Sequence, residues 1–519
     1  MATLVPTRPA ARAGRDSPAL YRHHGDSMTS DARRPGERPN RLTQFAAYIA
    51  MLGGCVGAFF IVRHFGQGLT APAPAPAAEL FGAPNSLRET HTLMHVLLAL
   101  TVIIITARAM GALFARLGQP AVVGEVLAGI FLGPSVLGRI APDMAAYILP
   151  LSVAPFLGVL AQVGVVIYMF LVGLELDLKQ IRDSGHSTII ISHASIVAPF
   201  VMGSGLALIL YPRLSTSDVP FTVFALFSGV SMAVTAFPVL ARILTERRAH
   251  TSRLGVMALT CAAVDDVTAW CLLALVVGVA STKMGGGLVT IGLSVVYITG
   301  MLVVVRPGIQ KLVALQERRG NMGKGVLAIV FVGMLLSALA TEYIGIHAIF
   351  GAFVLGALIP HDSKVARELN AKLGDVVIVL LLPAFFAYTG MRTKIGLVNG
   401  VSEWALCALI TLVACAGKFG GSSIAARLSG MRWTESAAIG ILMNTRGLME
   451  LVVLNIGLDL RVISPTLFAM LVIMAVVTTM ATTPVLHLLA RVSDPFSPTP
   501  ISPPPPQPET HAASSPSGA

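Results

Sequence analysis

Residues Leu254–Ala280 read LGVMALTCAAVDDVTAWCLLALVVGVA. The run is long enough to cross a bilayer as a helix, which takes about 20 residues. At its middle stand two adjacent carboxylates, Asp265 and Asp266. A charge at the centre of a membrane costs at least roughly 2.5–3.5 kcal/mol, so such groups usually face a wet cavity or an ion path. Neighbouring residues on a helix point about 100° apart, and two acids so placed repel each other when both ionise. The arrangement suits one task, the binding of cations and protons in competition.

The rest of the composition supports a membrane reading. Of 519 residues, 55% are hydrophobic and only 12% charged, against about 25% charged in a soluble protein. This is an all-α polytopic membrane protein with the lipid bilayer as its solvent. The net charge of +11 comes from basic residues scattered between apolar runs. They suit cytoplasmic loops facing anionic lipid and do not point to nucleic acid. Cys55, Cys261, Cys271, Cys407 and Cys415 all lie in apolar segments, where packing is a better reading than disulfides or metal ligation. No phosphate-binding loop, zinc spacing or nucleophile elbow stands out, so neither an enzyme nor a cofactor is expected.

Five regions follow along the chain. Residues 1–43 form a basic, Arg-rich tail expected to be disordered. Residues 44–64 are either an extra helix or a signal-like segment. Residues 65–92 form a Pro/Ala-rich linker containing APAPAPAA at 71–78. The membrane domain covers 93–490, and 491–519 are a Pro/Ser-rich tail expected to be disordered. The membrane domain holds roughly thirteen spans, at 93–117, 121–138, 151–174, 187–211, 219–244, 253–280, 286–305, 324–341, 344–360, 374–392, 401–428, 434–457 and 465–490. The run near Cys55 brings the count to about fourteen, which puts both termini on one side. Loops carrying Arg247, Arg248, Arg253, Lys311, Arg318, Arg319, Lys364, Arg367 and Lys372 place that side in the cytoplasm, provided the first apolar run is retained.

Six helices, one linking helix at 286–305 and six further helices suggest inverted repeats, since a single crossing inverts the second half. Weak echoes agree. VVIYMFLVGLELD from Val165 resembles VVIVLLLPAFFAYTG from Val376, and LAGIFLGPSVLG from Leu127 resembles GAFVLGALIP from Gly351.

Transporters set their sites where helices break near the midplane, because half-helix ends supply dipoles and free carbonyls. Two segments carry breakers or polar residues at mid-span, and both fall fifth in their half. One is FSGVSMAVTAFPVLARIL (Phe227–Leu244), with Ser231, Thr235 and Pro238. The other is AAIGILMNTRGLMELVVLNIGL (Ala437–Leu458), with Asn444, Thr445, Arg446, Gly447 and Glu450. Pro238 removes a backbone donor and frees carbonyls near Ser231 and Thr235. Ser231 and Thr235 read either as small packing residues or as ion ligands. Arg446 and Glu450, spaced i,i+4, either neutralise each other or serve transport. Lys418, deep in LCALITLVACAGKFGGSSI and flanked by small residues, reads as a partner for Asp265 in preference to snorkelling. Glu125 suits a packing or a transport role equally. His193 and His347 read as satisfied structural histidines, and Glu175 and Asp177 as structural residues at a helix end.

The motifs GEVLAGIFLGPSVLG (Gly124–Gly138), FLVGLELDL (Phe170–Leu178), MAVTAFPVLARIL (Met232–Leu244), AAVDDVTAW (Ala262–Trp270), ACAGKFGG (Ala414–Gly421) and MNTRGLMELVVLNIG (Met443–Gly457), in this order, resemble the monovalent cation:proton antiporter-2 family. The resemblance covers about Leu93–Leu489. It implies thirteen helices in a dimerisation domain and a core domain, hence a homodimer, with two crossed broken helices in the core at Thr235 and at Asn444-Thr445. It makes Asp265-Asp266 the acid pair that binds ion and proton, and Lys418 the basic residue paired with it. The extra run near Cys55, the long basic N-terminus and the short C-terminal tail without a nucleotide-binding domain depart from the family pattern.

The expected activity is electrogenic exchange of Na+ or K+ for protons, in a bacterial inner membrane. Asp266, Thr235, carbonyls and water would hold the cation, while Asp265 pairs with Lys418. A channel-like potassium efflux protein of the same family and an organic-anion:sodium symporter are the alternatives.

Overall fold

The computed structural model describes residues 41–70, 92–176, 186–249, 252–281, 287–319 and 323–492. The Pro/Ala run at 71–78, Asp177 and nearly all of both expected tails lie outside the described residues. The chain divides into two units, Met1–Ile49 and Ala50–Ala519. The described part of the first, residues 41–49, is helical and opens the helix Arg41–Gly66.

All regular structure among the described residues is helical. Twelve helices among the described residues are long and apolar enough to cross a membrane. The bent pair Trp433–Met443 and Leu448–Asp459, with 43° between its halves, brings the count to thirteen. In lipid every backbone polar group needs a partner within the protein, and helices provide one for nearly all of them.

Four expected spans take a different form. Within 344–360, only Ala348–Leu358 is helical, 11 residues. That length covers about 16 Å of a ~30 Å hydrocarbon core, so it cannot cross alone. Gly345 and His347, both at positive φ, separate it from Lys324–Ile344. The expected 121–138 span is present as Ala121–Ile140 but is interrupted, since its first helix, Ala121–Leu132, stops before Gly133-Pro134 and Leu137–Ile140 continues it. The expected 286–305 span instead runs from Gly287–Gly300 through a π-helical turn into Arg306–Arg319. The expected 374–392 span starts early, at Lys364, because the Ser363 hydroxyl accepts from the Ala366 backbone N–H at 3.1 Å and caps a helix there.

The helices sort into two bundles. One contains His186–Leu214, Phe221–Ala233 with Phe237–Glu246, Arg253–Ser281, Val401–Cys415 with Gly421–Leu428, the bent pair and Pro465–Val492. The other contains Thr92–Arg116, Ala121–Leu132, Ala154–Glu175, Lys324–Ile344, Ala348–Leu358 and Leu382–Arg392. Gly287–Gly300 touches Arg253–Ser281 on one side and Lys324–Ile344 on the other, and so bridges them.

The second bundle carries the mark of the repeat. Ala121–Leu132 packs on Leu382–Arg392, and Ala348–Leu358 packs on Ala154–Glu175. The second helix of each half thus crosses the third helix of the other. At one crossing a Cβ on Gly129 would overlap the Phe386 carbonyl, and at the other a Cβ on Gly356 would overlap the Phe170 carbonyl. Within each half, Gly124 presses on Met110 and Gly351 on Ser337, at the same sequence offset as the Gly129–Gly356 pair. Small residues let helix backbones approach where lipid gives no hydrophobic drive to association.

Gly129→Leu should therefore destabilise the protein by about 2–3 kcal/mol, read as an earlier thermal transition in detergent. Gly292→Leu, where a Cβ meets no atom within 4 Å, should leave that transition unmoved.

Candidate functional site

Pro238 sits at the second position of the helix Phe237–Glu246, and residues 234–236 are extended rather than helical. The preceding helix, Phe221–Ala233, therefore ends without a continuing turn to use its last carbonyls. In the bent pair, residues 444–447 interrupt the helix in the same way. The two breaks touch. The Ala236 backbone N–H donates to the Thr445 carbonyl at 3.0 Å, and Thr235 Oγ1 lies 3.4 Å from the Met443 carbonyl.

Two cations cap the orphaned carbonyls. Arg446 Nη1 donates to Ser231 O at 3.0 Å, and Nη2 to Met232 O at 2.8 Å. Lys418 Nζ donates to the Ala233 carbonyl. A helix C-terminus carries partial negative charge, so cations are favoured there. Arg446 also meets Glu450 Oε2 at 2.5 Å, with both side chains fully buried. The i,i+4 pair thus neutralises itself while closing the first broken helix.

Lys418 reaches this place through close helix packing. It lies in a π-helical turn, Ala416–Gly420, a local widening often found at functional sites. A Cβ on Gly417 would come within 2.7 Å of Pro199, and one on Gly421 within 2.6 Å of Ala198, both on the helix His186–Leu214. The glycines around the lysine therefore seat its helix against that neighbour.

Asp265 is saturated with donors. Oδ2 lies 3.2 Å from Lys418 Nζ and accepts from Thr235 Oγ1 at 2.7 Å and from the Ser195 hydroxyl. Oδ1 accepts from Ser192 Oγ at 2.6 Å. Asp266 presents the opposite case, since both its carboxylate oxygens are buried without a hydrogen-bond partner. Arg446 and Glu450 lie within electrostatic reach of Lys418. The cluster therefore holds three acids (Asp265, Asp266 and Glu450) and two bases. When all five ionise it is one positive charge short of neutral, and a buried uncompensated charge is strongly unfavourable.

Most expected site residues meet here, with corrections of detail. Thr235 donates its hydroxyl to Asp265, which the sequence reading had not given it. Ser231 contributes its carbonyl to Arg446, while its hydroxyl is buried and unpartnered. Asn444 Nδ2 faces Cys415 Sγ at 3.6 Å, and its Oδ1 has no partner. Thr445 Oγ1 faces Thr482 Oγ1 at 3.4 Å. Glu125 lies apart, buried in the other bundle on Ala121–Leu132. His193 Nδ1 is bonded to the Ile189 carbonyl at 2.8 Å, whereas His347 Nδ1 is buried without a partner. Glu175 accepts from Asn370 Nδ2 at 3.0 Å. Ser192 and Ser195 escaped the sequence reading. Their signal was two hydroxyls spaced i,i+3 in a mostly apolar span, a spacing that places both on one helix face.

The family described as sodium/hydrogen exchanger, transmembrane, matches residues 97–491. The Na(+)/H(+) antiporter NhaS4 of Synechocystis sp. is 44% identical over 398 residues, 76% of this chain and 97% of that protein. Cation/H(+) antiporter 20 of Arabidopsis thaliana is 41% identical over 77% of this chain and 49% of its own length. K(+)/H(+) antiporter 1 of Saccharomyces cerevisiae is 32% identical over 72% of this chain and 44% of its own length. The chain thus spans nearly all of the first relative and about half of the other two. The sodium proton antiporter MjNhaP1 of Methanocaldococcus jannaschii shares the fold, with a TM-score of 0.57 at 14% identity over 78% of this chain and all of that one.

Loss of either buried cation leaves acids and carbonyls unpaired, but unequally. Arg446→Ala strips Glu450 of its partner and two carbonyls of theirs, so it should cost about 3–5 kcal/mol. Lys418→Ala leaves Asp265 with three hydroxyl donors and should cost less. Thermal unfolding of the two purified variants should rank them in that order.

Proposed function

The chain belongs to the sodium/hydrogen exchanger family, and on that premise we propose that it is a secondary active antiporter. It exchanges a monovalent cation, Na+ or K+, for protons by alternating access. The observation that carries this reading is Asp266, a buried carboxylate with both oxygens unpartnered beside a saturated Asp265. Asp266 is the residue that takes up a proton or a cation. A protonated carboxyl has little attraction for a cation, and a carboxylate attracts one strongly. Both states repair the same deficit of one positive charge, so the two ions compete.

Asp265 holds Lys418 in place, and the serines and Thr235 fix its orientation. A cation bound to Asp266 repels Lys418, and release of the lysine proton at that moment makes exchange electrogenic, with more protons than cations per cycle. Ser231, Asn444 and Thr445 lie at the breaks and supply oxygens near the path, while Arg446 and Glu450 hold the breaks together. An organic-anion substrate fits this cluster poorly, because its vacancy is for positive charge.

The protein works as a homodimer in a bacterial inner membrane, with cytoplasmic termini if residues 44–64 are retained. Apolar side chains on the bridging helix and the π-helical turn after it, among them Val295, Val296, Val303 and Val304, are exposed and suit lipid or a second copy.

Inverted vesicles test the reading. On addition of Na+ or K+, acid-loaded vesicles with the wild-type protein should lose protons, seen as dequenching of a pH-sensitive dye. Asp266→Asn should abolish the signal for both cations, and full exchange by that variant would remove Asp266 from the mechanism. Competition adds a second expectation. The cation KM should rise as pH falls, while the rate at saturating cation stays nearly constant.

A further inference from the structure

The two helix bundles meet at a second polar cluster, far along the bent helix from the acid pair. Leu382–Arg392 belongs to the bundle without the charge cluster, and Leu448–Asp459 is the second half of the bent pair. Arg392 Nη2 meets Asp459 Oδ1 at 2.6 Å, and Nη1 donates to Asn455 Oδ1 at 3.0 Å. One turn back on each helix, Asn455 Nδ2 donates to Thr389 Oγ1 at 2.8 Å. Thr389 and Arg392 are spaced i,i+3, and Asn455 and Asp459 i,i+4, so each pair lies on one helix face. The result is a two-rung polar zipper between the bundles.

Each end is firmly held within its own bundle. The Arg392 guanidinium stacks 5.3 Å from the Tyr388 ring centroid. Ser135 Oγ donates to the Thr393 carbonyl at 2.8 Å and accepts from the Ile395 N–H at 3.0 Å, which pins the chain just beyond Arg392. On the other side, Asp459 ends the same helix that Arg446 and Glu450 begin. The zipper thus reaches the ion cluster through one rigid helix of 12 residues. It closes at the helix ends, where Asp459 is 40% exposed and Arg392 only 8%.

We propose that Thr389, Arg392, Asn455 and Asp459 form a latch between the two bundles that closes one mouth of the transport path and must part once in every exchange cycle. The inference rests on the alternating-access reading above. If the bundles rock against each other, side chains bonded across their boundary have to separate, and these four hold one of the two end states. Asp459 gives the cluster a wet edge from which water can replace the lost partners as the bundles part, while Thr389, Arg392 and Asn455 are buried in the closed state.

Cross-linking tests the latch. The double variant Thr389→Cys/Asn455→Cys is assayed in vesicles for cation-driven proton exchange before oxidation, after oxidation and after reduction. Each single variant serves as a control. The expected result is exchange in the reduced state, a fall of about tenfold or more on oxidation, and recovery with reductant. Unchanged exchange with the bond formed would overturn the latch and leave the antiporter reading standing. Wild-type vesicles that show no exchange under the same conditions would overturn both.

A second measurement serves if the double variant misfolds. Asn455→Cys alone should be labelled by a water-soluble thiol reagent during cation-driven turnover and be protected without it. Adding Arg392→Gln should raise labelling several-fold even at rest. Labelling that is absent in every state means the zipper never opens.

Discussion

Charge inside a low-dielectric bundle must be balanced, and the rest of this structure depends on that requirement. Five ionisable groups (Asp265, Asp266, Lys418, Arg446 and Glu450) are buried within one bundle. Two acid–base pairs among them are satisfied by direct contact. The fifth group, Asp266, is left over. Burial makes its ionised form unfavourable without a counter-charge, and both of the smallest counter-charges available, a proton and an alkali cation, come from solution. The imbalance gives the cluster a chemical purpose that five fully paired charges would lack.

The same residues solve a backbone problem. A helix broken inside a membrane exposes carbonyls that water cannot reach, and each needs a donor. Arg446 and Lys418 provide those donors to Ser231, Met232 and Ala233 while also pairing with Glu450 and Asp265. Helix break and charge cluster are therefore one network. A change in the charge of the cluster alters the bonds that hold the break, which ties occupancy of the site to the geometry of the helices around it. The Ser192–Ser195 face and the glycines beside Lys418 set the distances within which this coupling operates.

Around this bundle, the second one is built from close small-residue crossings. The seams at Gly129 and Gly356 bring backbones together where larger side chains would hold them apart. The repeat is thus physically expressed as two equivalent crossings, which stiffen the bundle as a body. Contacts between the bundles are mixed, with the polar Arg392 edge, the bridging helix Gly287–Gly300 and apolar packing such as Trp270 against Phe350.

The sequence by itself determined the membrane class, most span positions, the two broken helices and the acid pair. These follow from local properties: run length, Pro238, the Asn444–Gly447 interruption, and carboxylates inside apolar stretches. It also pointed Lys418 at Asp265, because a lysine among small apolar residues needs an acid. Only the tertiary structure decided that three hydroxyls complete the donors to Asp265 and that both Asp266 oxygens are left without any. Adjacent residues in a helix share a sequence neighbourhood but face different helices, so Asp265 meets Ser192, Ser195, Thr235 and Lys418 while Asp266 meets none of them. The same holds for the short Ala348–Leu358 helix and the Arg392–Asp459 ion pair. Hydropathy records that a stretch is apolar, but chain crossings far apart in sequence decide where it stops and what its ends touch.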